Sequence, residues 1–335
     1  MSKTRVIKYQ DSIRRFIFNN NNSPFSNEMN KDSEVYEFLD KLFDQSDKYL
    51  SILLLTVLNS QNKKNKLSIQ GYYAACGIEI IYLLFNIYDN KENLIKKHGD
   101  IINDITVKLS FSWVKSIKSN LDVSKRHIHK SKFDKVNSTV MNMITEDIPM
   151  YVNRESNKNL IQFQSDSEKA KSDIPSFYLD KNEDLCNKFK QLRLIKKESI
   201  KETILNTICN IGVLSSGLGW SLGGGSDKKL NSIKEIGKYF SLIYQLGCDF
   251  ENIDTDIING FESDRKYTFN FVVNSGFQYS YETYLEYKET FIVEASKLEL
   301  YNITVKELIY NIDEKVDNAI DNTSPDIKST LTTNN

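Results

Sequence analysis

The chain has 335 residues, of which 40% are hydrophobic, 11% aromatic and 27% charged, enough apolar material to bury a full core and to exclude disorder as a whole. Thirteen glycines and four prolines exclude collagen-like and Pro-rich classes and favour long helices over a many-stranded sandwich. With 44 Lys and Arg against 45 Asp and Glu the net charge is −1, so the basic excess of a dedicated nucleic-acid binder is missing.

Residues 1–32 read as a polar N-terminal arm ending in the stretch Asn19–Ser26. Ser33 can cap a helix over Glu34–Phe43, with Val35, Phe38, Leu39 and Leu42 on one face. An apolar helix runs from Lys48 to Leu58, and the polar segment Asn59–Lys66 breaks it. Leu67–Asp89 follows, apolar on nearly every face, which places it at the centre of a bundle. Residues 115–198 are hydrophilic and irregular and read as surface helices and loops. Their one sharp string, Thr145-Glu146-Asp147-Ile148-Pro149, is either a metal-binding turn or a solvated helix end. Ile200–Leu218 is predicted as a buried helix, Gly219–Ser226 as a Gly-rich turn, Lys228–Asp249 as a long helix and Glu251–Asp264 as an acidic loop. Tyr267–Val273 can start the next helix, and Tyr281–Leu298 and Val305–Ile320 complete a helical C-terminus. Residues 323–335, rich in Ser, Thr and Asn, read as a disordered tail. The expected architecture is all-α: a single helical domain over 33–322, with 115–200 poorly defined.

Cys76, Cys186, Cys209 and Cys248 lie far apart without a CxxC pair, as expected of thiols in a reducing compartment. His127 and His129 stand between Arg126 and Lys130, which repel a cation. No signal peptide is visible, and the longest apolar runs, Ile52–Leu58 and Ile78–Tyr88, fall short of the roughly 20 residues of a membrane span. The expectation is a soluble, cytoplasmic protein with neither a nucleic-acid partner nor a membrane span.

Two central helices are expected to end in acids. Asp89 is followed by Asn90-Lys91-Glu92-Asn93, and Asp249 sits in Cys248-Asp249-Phe250-Glu251-Asn252. Facing acid clusters at the mouth of a bundle can hold Mg²⁺ through hard oxygen ligands, whereas two ordinary solvated helix ends give the same pattern.

Read with its flanks, the chain resembles the trans-isoprenyl diphosphate synthase (polyprenyl synthetase) family over residues 34–320. Tyr244-Gln245-Leu246-Gly247-Cys248-Asp249-Phe250-Glu251-Asn252 is similar to the family's second aspartate-rich string. Asp264-Arg265-Lys266-Tyr267-Thr268 resembles its Asp…Gly-Lys-x-Thr segment, and Gly219-Trp220 with Gly223–Gly225 falls at its small-residue break. In the first half, Ile78-Glu79-Ile80-Ile81-Tyr82 resembles Ile-Glu-aliphatic-aliphatic-His, Asp89-Asn90 the first Asp-Asp, and Lys96-Lys97-His98-Gly99 the Arg-Arg-Gly. Ser46-Asp47-Lys48-Tyr49-Leu50-Ser51 looks like a worn Gly-Gly-Lys-Arg-x-Arg. Within the family the Gly-Trp-x-Leu-Gly string is similar to prenyltransferases of large DNA viruses.

The resemblance implies an isoprenoid-synthase-type bundle around a central cavity, with Mg²⁺ bridging the motifs to an allylic diphosphate that isopentenyl diphosphate attacks. It implies Asp89, Glu92, Asp249 and Glu251 as metal ligands. It also implies Lys48, Lys96 and Lys97 as diphosphate-binding residues, and Lys266, Gln245 and Thr268 as catalytic ones. The departures are as informative. Asn90, Asn93, Cys248 and Asn252 replace carboxylates, and Tyr49 and Ser51 replace guanidinium groups. Neutral or soft ligands do not replace carboxylates on Mg²⁺, nor Tyr and Ser an Arg clamp. Three readings follow. The favoured one is a weakly active or catalytically silent regulatory or structural subunit, a homodimer or paired with an active synthase. The others are an active Mg²⁺-dependent prenyltransferase, its product held to C15–C20 by Phe85 next to Leu84, and an unrelated helical protein.

Overall fold

The structure, a computed structural model, describes residues 4–19, 34–61, 69–89, 91–109, 161–175 and 182–322, together with residues 112, 116 and 179. The polar stretch 20–33, the histidines 127 and 129, the string 145–149 and the tail 323–335 lie outside the described residues. The described chain is all-α, and its only strand-like pairing is an isolated antiparallel bridge between Phe163 and Ile195. The helices are α1 (Arg5–Asn19), α2 (Glu34–Gln45), α3 (Tyr49–Ser60), α4 (Ile69–Asp89), α5 (Lys91–His98), α6 (Asp166–Lys169), α7 (Glu183–Gln191) and α8 (Lys197–Leu205). They continue as α9 (Ile208–Leu222), α10 (Leu230–Glu251), α11 (Ile253–Glu262), α12 (Phe271–Ser275), α13 (Phe277–Lys297) and α14 (Ile303–Asp321). The chain sorts into two compact units, one drawing on residues 1–149, 210–238 and 294–308, the other on 150–209, 239–293 and 309–335.

The first unit is organised around α3. Leu50 through Leu58 are all buried, so this helix has no solvent face to reveal a periodicity. Helix α4 meets it where Gly71 lies against Leu55 and Leu58. Helix α9 meets it more closely: a Cβ on Gly219 would stand 2.4 Å from the Leu54 carbonyl oxygen. The Ser215 hydroxyl donates to the Leu50 carbonyl at 2.5 Å. The expected arm contains a helix, α1, whose Val6, Ile13, Phe16 and Ile17 are buried while Arg5, Lys8 and Arg15 stay in water. Its apolar stripe is narrow and set among charges, which is why composition reads it as polar.

In the second unit α10 is fixed by ring contacts, Phe240 on Phe291 at 5.6 Å and Phe250 on Phe277 at 5.2 Å. Gly247 admits Ile312 of α14. Asp173 starts α13, accepting from the backbone N–H of Phe277 at 2.5 Å and of Gln278 at 2.9 Å, which satisfies two of the orphan donors of that helix.

Three boundaries differ from expectation. The predicted helix 200–218 is two helices, broken at Asn206 and Thr207, and the second runs through Gly219 to Leu222, because the close approach to α3 demands a glycine inside a helix. The Gly-rich turn shrinks to residues 223–226, where Gly224 has φ 86° and the Trp220 indole donates to the Ser226 carbonyl at 2.9 Å. The acidic loop 251–264 is mostly helix α11, whose Ile253, Ile257 and Gly260 face inward at helical spacing between the acids.

Candidate functional site

In the first unit, Lys48 precedes α3 in the left-handed region, φ 61°. Its side chain is buried and its ammonium donates to the Phe43 carbonyl at the end of α2 and to the Ser46 carbonyl at 2.8 Å. Glu79 of α4, 1% exposed, accepts from the Ser46 hydroxyl and, at 2.8 Å, from the Ser51 hydroxyl. Burial draws the Lys48 ammonium below the usual lysine range, against the pull of Glu79, Asp44 and Asp47. Burial pushes the Glu79 carboxyl up, opposed by Lys48 and the two serine hydroxyls. The cluster ties the turn between α2 and α3 to α4. Lys48 is thus held inside the unit by two carbonyls, with the Glu79 carboxylate near enough to favour its charge. Ser51, at a position where the resembled family carries an Arg, is a hydroxyl that fits this buried space; a guanidinium there needs further partners. Asp89 closes α4 and Glu92 lies in α5, while Lys96 and Lys97 are exposed in its last turn.

In the second unit, Asp249 lies in the last turn of α10 and is 3% exposed. One carboxylate oxygen accepts from the Gln245 amide at 2.7 Å and the other from the Phe271 backbone N–H at 2.8 Å, the first residue of α12. Asn270 completes the junction. Its amide donates to the Asp249 carbonyl and to the Asp256 carboxylate, each at 2.8 Å, and its oxygen caps α12 by accepting from Val273 N–H at 3.0 Å. Thr268 feeds the same network: its hydroxyl accepts from Asn270 N–H at 3.2 Å and its carbonyl from the Asn274 amide at 2.9 Å. Lys266 is exposed, at φ 55°, with its ammonium on the Phe261 carbonyl and 4.3 Å from that ring. Glu251 pairs with Lys315.

The structure thus brings Gln245, Asp249 and Thr268 into one hydrogen-bonded junction and sets Lys266 and Glu251 outside it. The sequence reading gave no role to Asn270 or Glu79. Each left a signal: an Asn directly before an apolar run is a helix-cap pattern, and one carboxylate inside a wholly apolar helix needs partners.

Asp249 and Glu251 fit a cluster of magnesium ions poorly. Both oxygens of Asp249 already accept N–H groups, one of them a main-chain donor that no solvent replaces, and its 3% exposure leaves no room for a hydrated ion. Glu251 is neutralised by Lys315. Among the described residues no group of three His, Cys, Asp or Glu side chains is placed to hold a metal. No helix among them is long and apolar enough to cross a membrane.

No family model and no curated protein matches the chain. Solved structures do. An FPP/GFPP synthase from Zymomonas mobilis is 12% identical, over 92% of this chain and 98% of its own, with a TM-score of 0.58. A geranyltranstransferase from Thermotoga maritima is 13% identical over 93% and 96%, at 0.55. A geranylgeranyl pyrophosphate synthase from Corynebacterium glutamicum, complexed with calcium and isoprenyl diphosphate, is 13% identical over 94% and 96%, at 0.52. The likeness runs through nearly the whole of each chain while the side chains have diverged, and so what it carries is the architecture: this chain has the all-α isoprenoid-synthase fold.

Proposed function

We propose that the chain is an isoprenyl-diphosphate-synthase-like protein with eroded aspartate-rich motifs, acting as a weakly active or catalytically silent regulatory or structural subunit. In this reading it forms one domain over 33–322, resides in the cytoplasm, and assembles as a homodimer or with an active synthase subunit. The observation that carries the reading is Asp249. It is the only Asp left in the second motif, and its carboxylate serves as a structural acceptor for Gln245 and for the start of α12. Lys48 supports the same reading, since a charge that the resemblance assigns to diphosphate is engaged by two carbonyls. An allylic diphosphate ionises only where metal and cations neutralise the leaving group, and a site whose charges are spent on its own backbone lacks that stabilisation.

The test is incubation of the protein with labelled isopentenyl diphosphate, allylic diphosphates and Mg²⁺, alone and with candidate synthase subunits. The expected result is little or no elongation by the chain alone and altered output from an active partner. Robust Mg²⁺-dependent formation of a C15–C20 product by the chain alone overturns the proposal in favour of an active prenyltransferase that uses Asp89, Glu92, Asp249 and Glu251 on the metal, Lys48, Lys96 and Lys97 on diphosphate, and Lys266, Gln245 and Thr268 at the reacting end.

A further inference from the structure

The segment from Lys188 to Lys201 holds six cations, Lys188, Lys190, Arg193, Lys196, Lys197 and Lys201, against one acid, Glu198, in a chain whose net charge is −1. It spans the end of α7, an extended connector and the start of α8, all in the second unit. Lys188 is paired with Asp184. Lys190, Arg193, Lys196 and Lys197 form no ion pair among the described residues; Lys190, Arg193 and Lys197 are exposed, and Lys196 is half-buried with the Glu168 carboxylate within reach of its charge. Adjacent members of this set are at most four residues apart, so their Cα atoms lie within about 14 Å of each other.

Aromatic rings hold the strip in place. The Arg193 guanidinium lies 3.7 Å from the centre of the Phe163 ring, the Lys197 ammonium 4.3 Å from that of Tyr279, and the Lys201 ammonium 5.4 Å from that of Tyr287. Tyr279 keeps 38% of its surface in solvent. Such rings steady a cation at its base without neutralising it. The geometry also selects among polyanions. Single-stranded nucleic acid is gripped by stacking bases on open rings, and here each ring already carries the chain's own cation on a face. What the strip offers outward is charge, spread over several headgroup widths, beside a half-exposed tyrosine whose apolar body and polar tip suit the layer between lipid tails and water.

From this strip we infer that the second unit docks peripherally on an anionic lipid surface through Lys190, Arg193, Lys196 and Lys197, with Tyr279 at its edge. The inference goes beyond the proposed function and does not depend on it.

The full chain is sedimented with phosphatidylcholine vesicles containing or lacking phosphatidylserine. Binding is expected only to the serine-containing vesicles, weakening as salt shortens the screening length. Lys190→Ala, Lys196→Ala and Lys197→Ala together are expected to reduce partitioning on the order of a hundredfold, at roughly a factor of five per surface cation. Lys197→Ala gives up one cation–π contact, so the melting temperature of the triple variant is expected to fall by no more than about a degree or two. Absence of binding at low salt, binding unchanged in the triple variant, or preference for single-stranded RNA over the anionic vesicles each overturns the inference.

Discussion

Replacing Asp249 by alanine separates a structural acceptor from a metal ligand. The Phe271 N–H loses its acceptor, and because Phe271 is 2% exposed no water takes its place. A buried donor left unsatisfied costs about 1–3 kcal/mol. The Gln245 amide is half-buried and recovers some hydration, adding about 0.5–1.5 kcal/mol. The sum, about 2–4 kcal/mol, lowers the melting temperature of a chain this long by roughly 3–6 °C. Asp249→Asn keeps the shape: its oxygen still accepts from Phe271 N–H, and Gln245 can turn its amide to meet the new NH₂. It is expected to lose about 1 kcal/mol, the worth of one charge-assisted contact made neutral. Both variants are melted in EDTA with circular dichroism as the readout, so metal makes no contribution. A structural acceptor gives the order wild type, Asn, Ala. The reasoning fails if the Ala variant melts with the wild type in EDTA while Mg²⁺ and a diphosphate mimic raise only the wild type. A ligand at a hundred times its dissociation constant stabilises by about 2.7 kcal/mol, so the two outcomes are well separated.

Glu79 predicts a pH effect of definite sign. Its folded carboxyl is raised from the ordinary value of 4.5, so the folded state holds more protons than the unfolded one and stability falls as pH rises from there through the raised value. Glu79→Gln removes that group and is expected to flatten the slope of melting temperature against pH; parallel slopes for the two proteins would count against a buried carboxylate in that position. Gly219→Ala places a methyl 2.4 Å from the Leu54 carbonyl oxygen, and neither backbone can yield cheaply. A loss of about 2 kcal/mol or more is expected by chemical denaturation, from overpacking at a helix crossing, whereas a gain would mean that α3 and α9 lie further apart.

The helices with a solvent face or an unbroken apolar run were legible in the sequence, since the 3.6-residue repeat and run length depend on the chain alone. Helix α4 ends at Asp89 as its apolar pattern predicts, and α2 and α14 fall where their stripes place them. The all-α class followed from the scarcity of breakers. Other features needed neighbours distant in sequence. The continuation of α9 through Gly219 depends on α3 lying close enough to exclude a side chain, and no local propensity encodes that distance. The helix α11 was hidden because its three acids equal its three inward residues in number, one of which is a glycine. The charges behave in the same way. Asp249 and Lys48 are recognisable from their flanking residues as motif positions, but what a charge does is fixed by what surrounds it. The sequence places Asp249 four residues after Gln245, one turn of helix away. Only the fold brings Phe271, 22 residues on, to its other oxygen, and only burial makes that bond too costly to surrender to a metal ion.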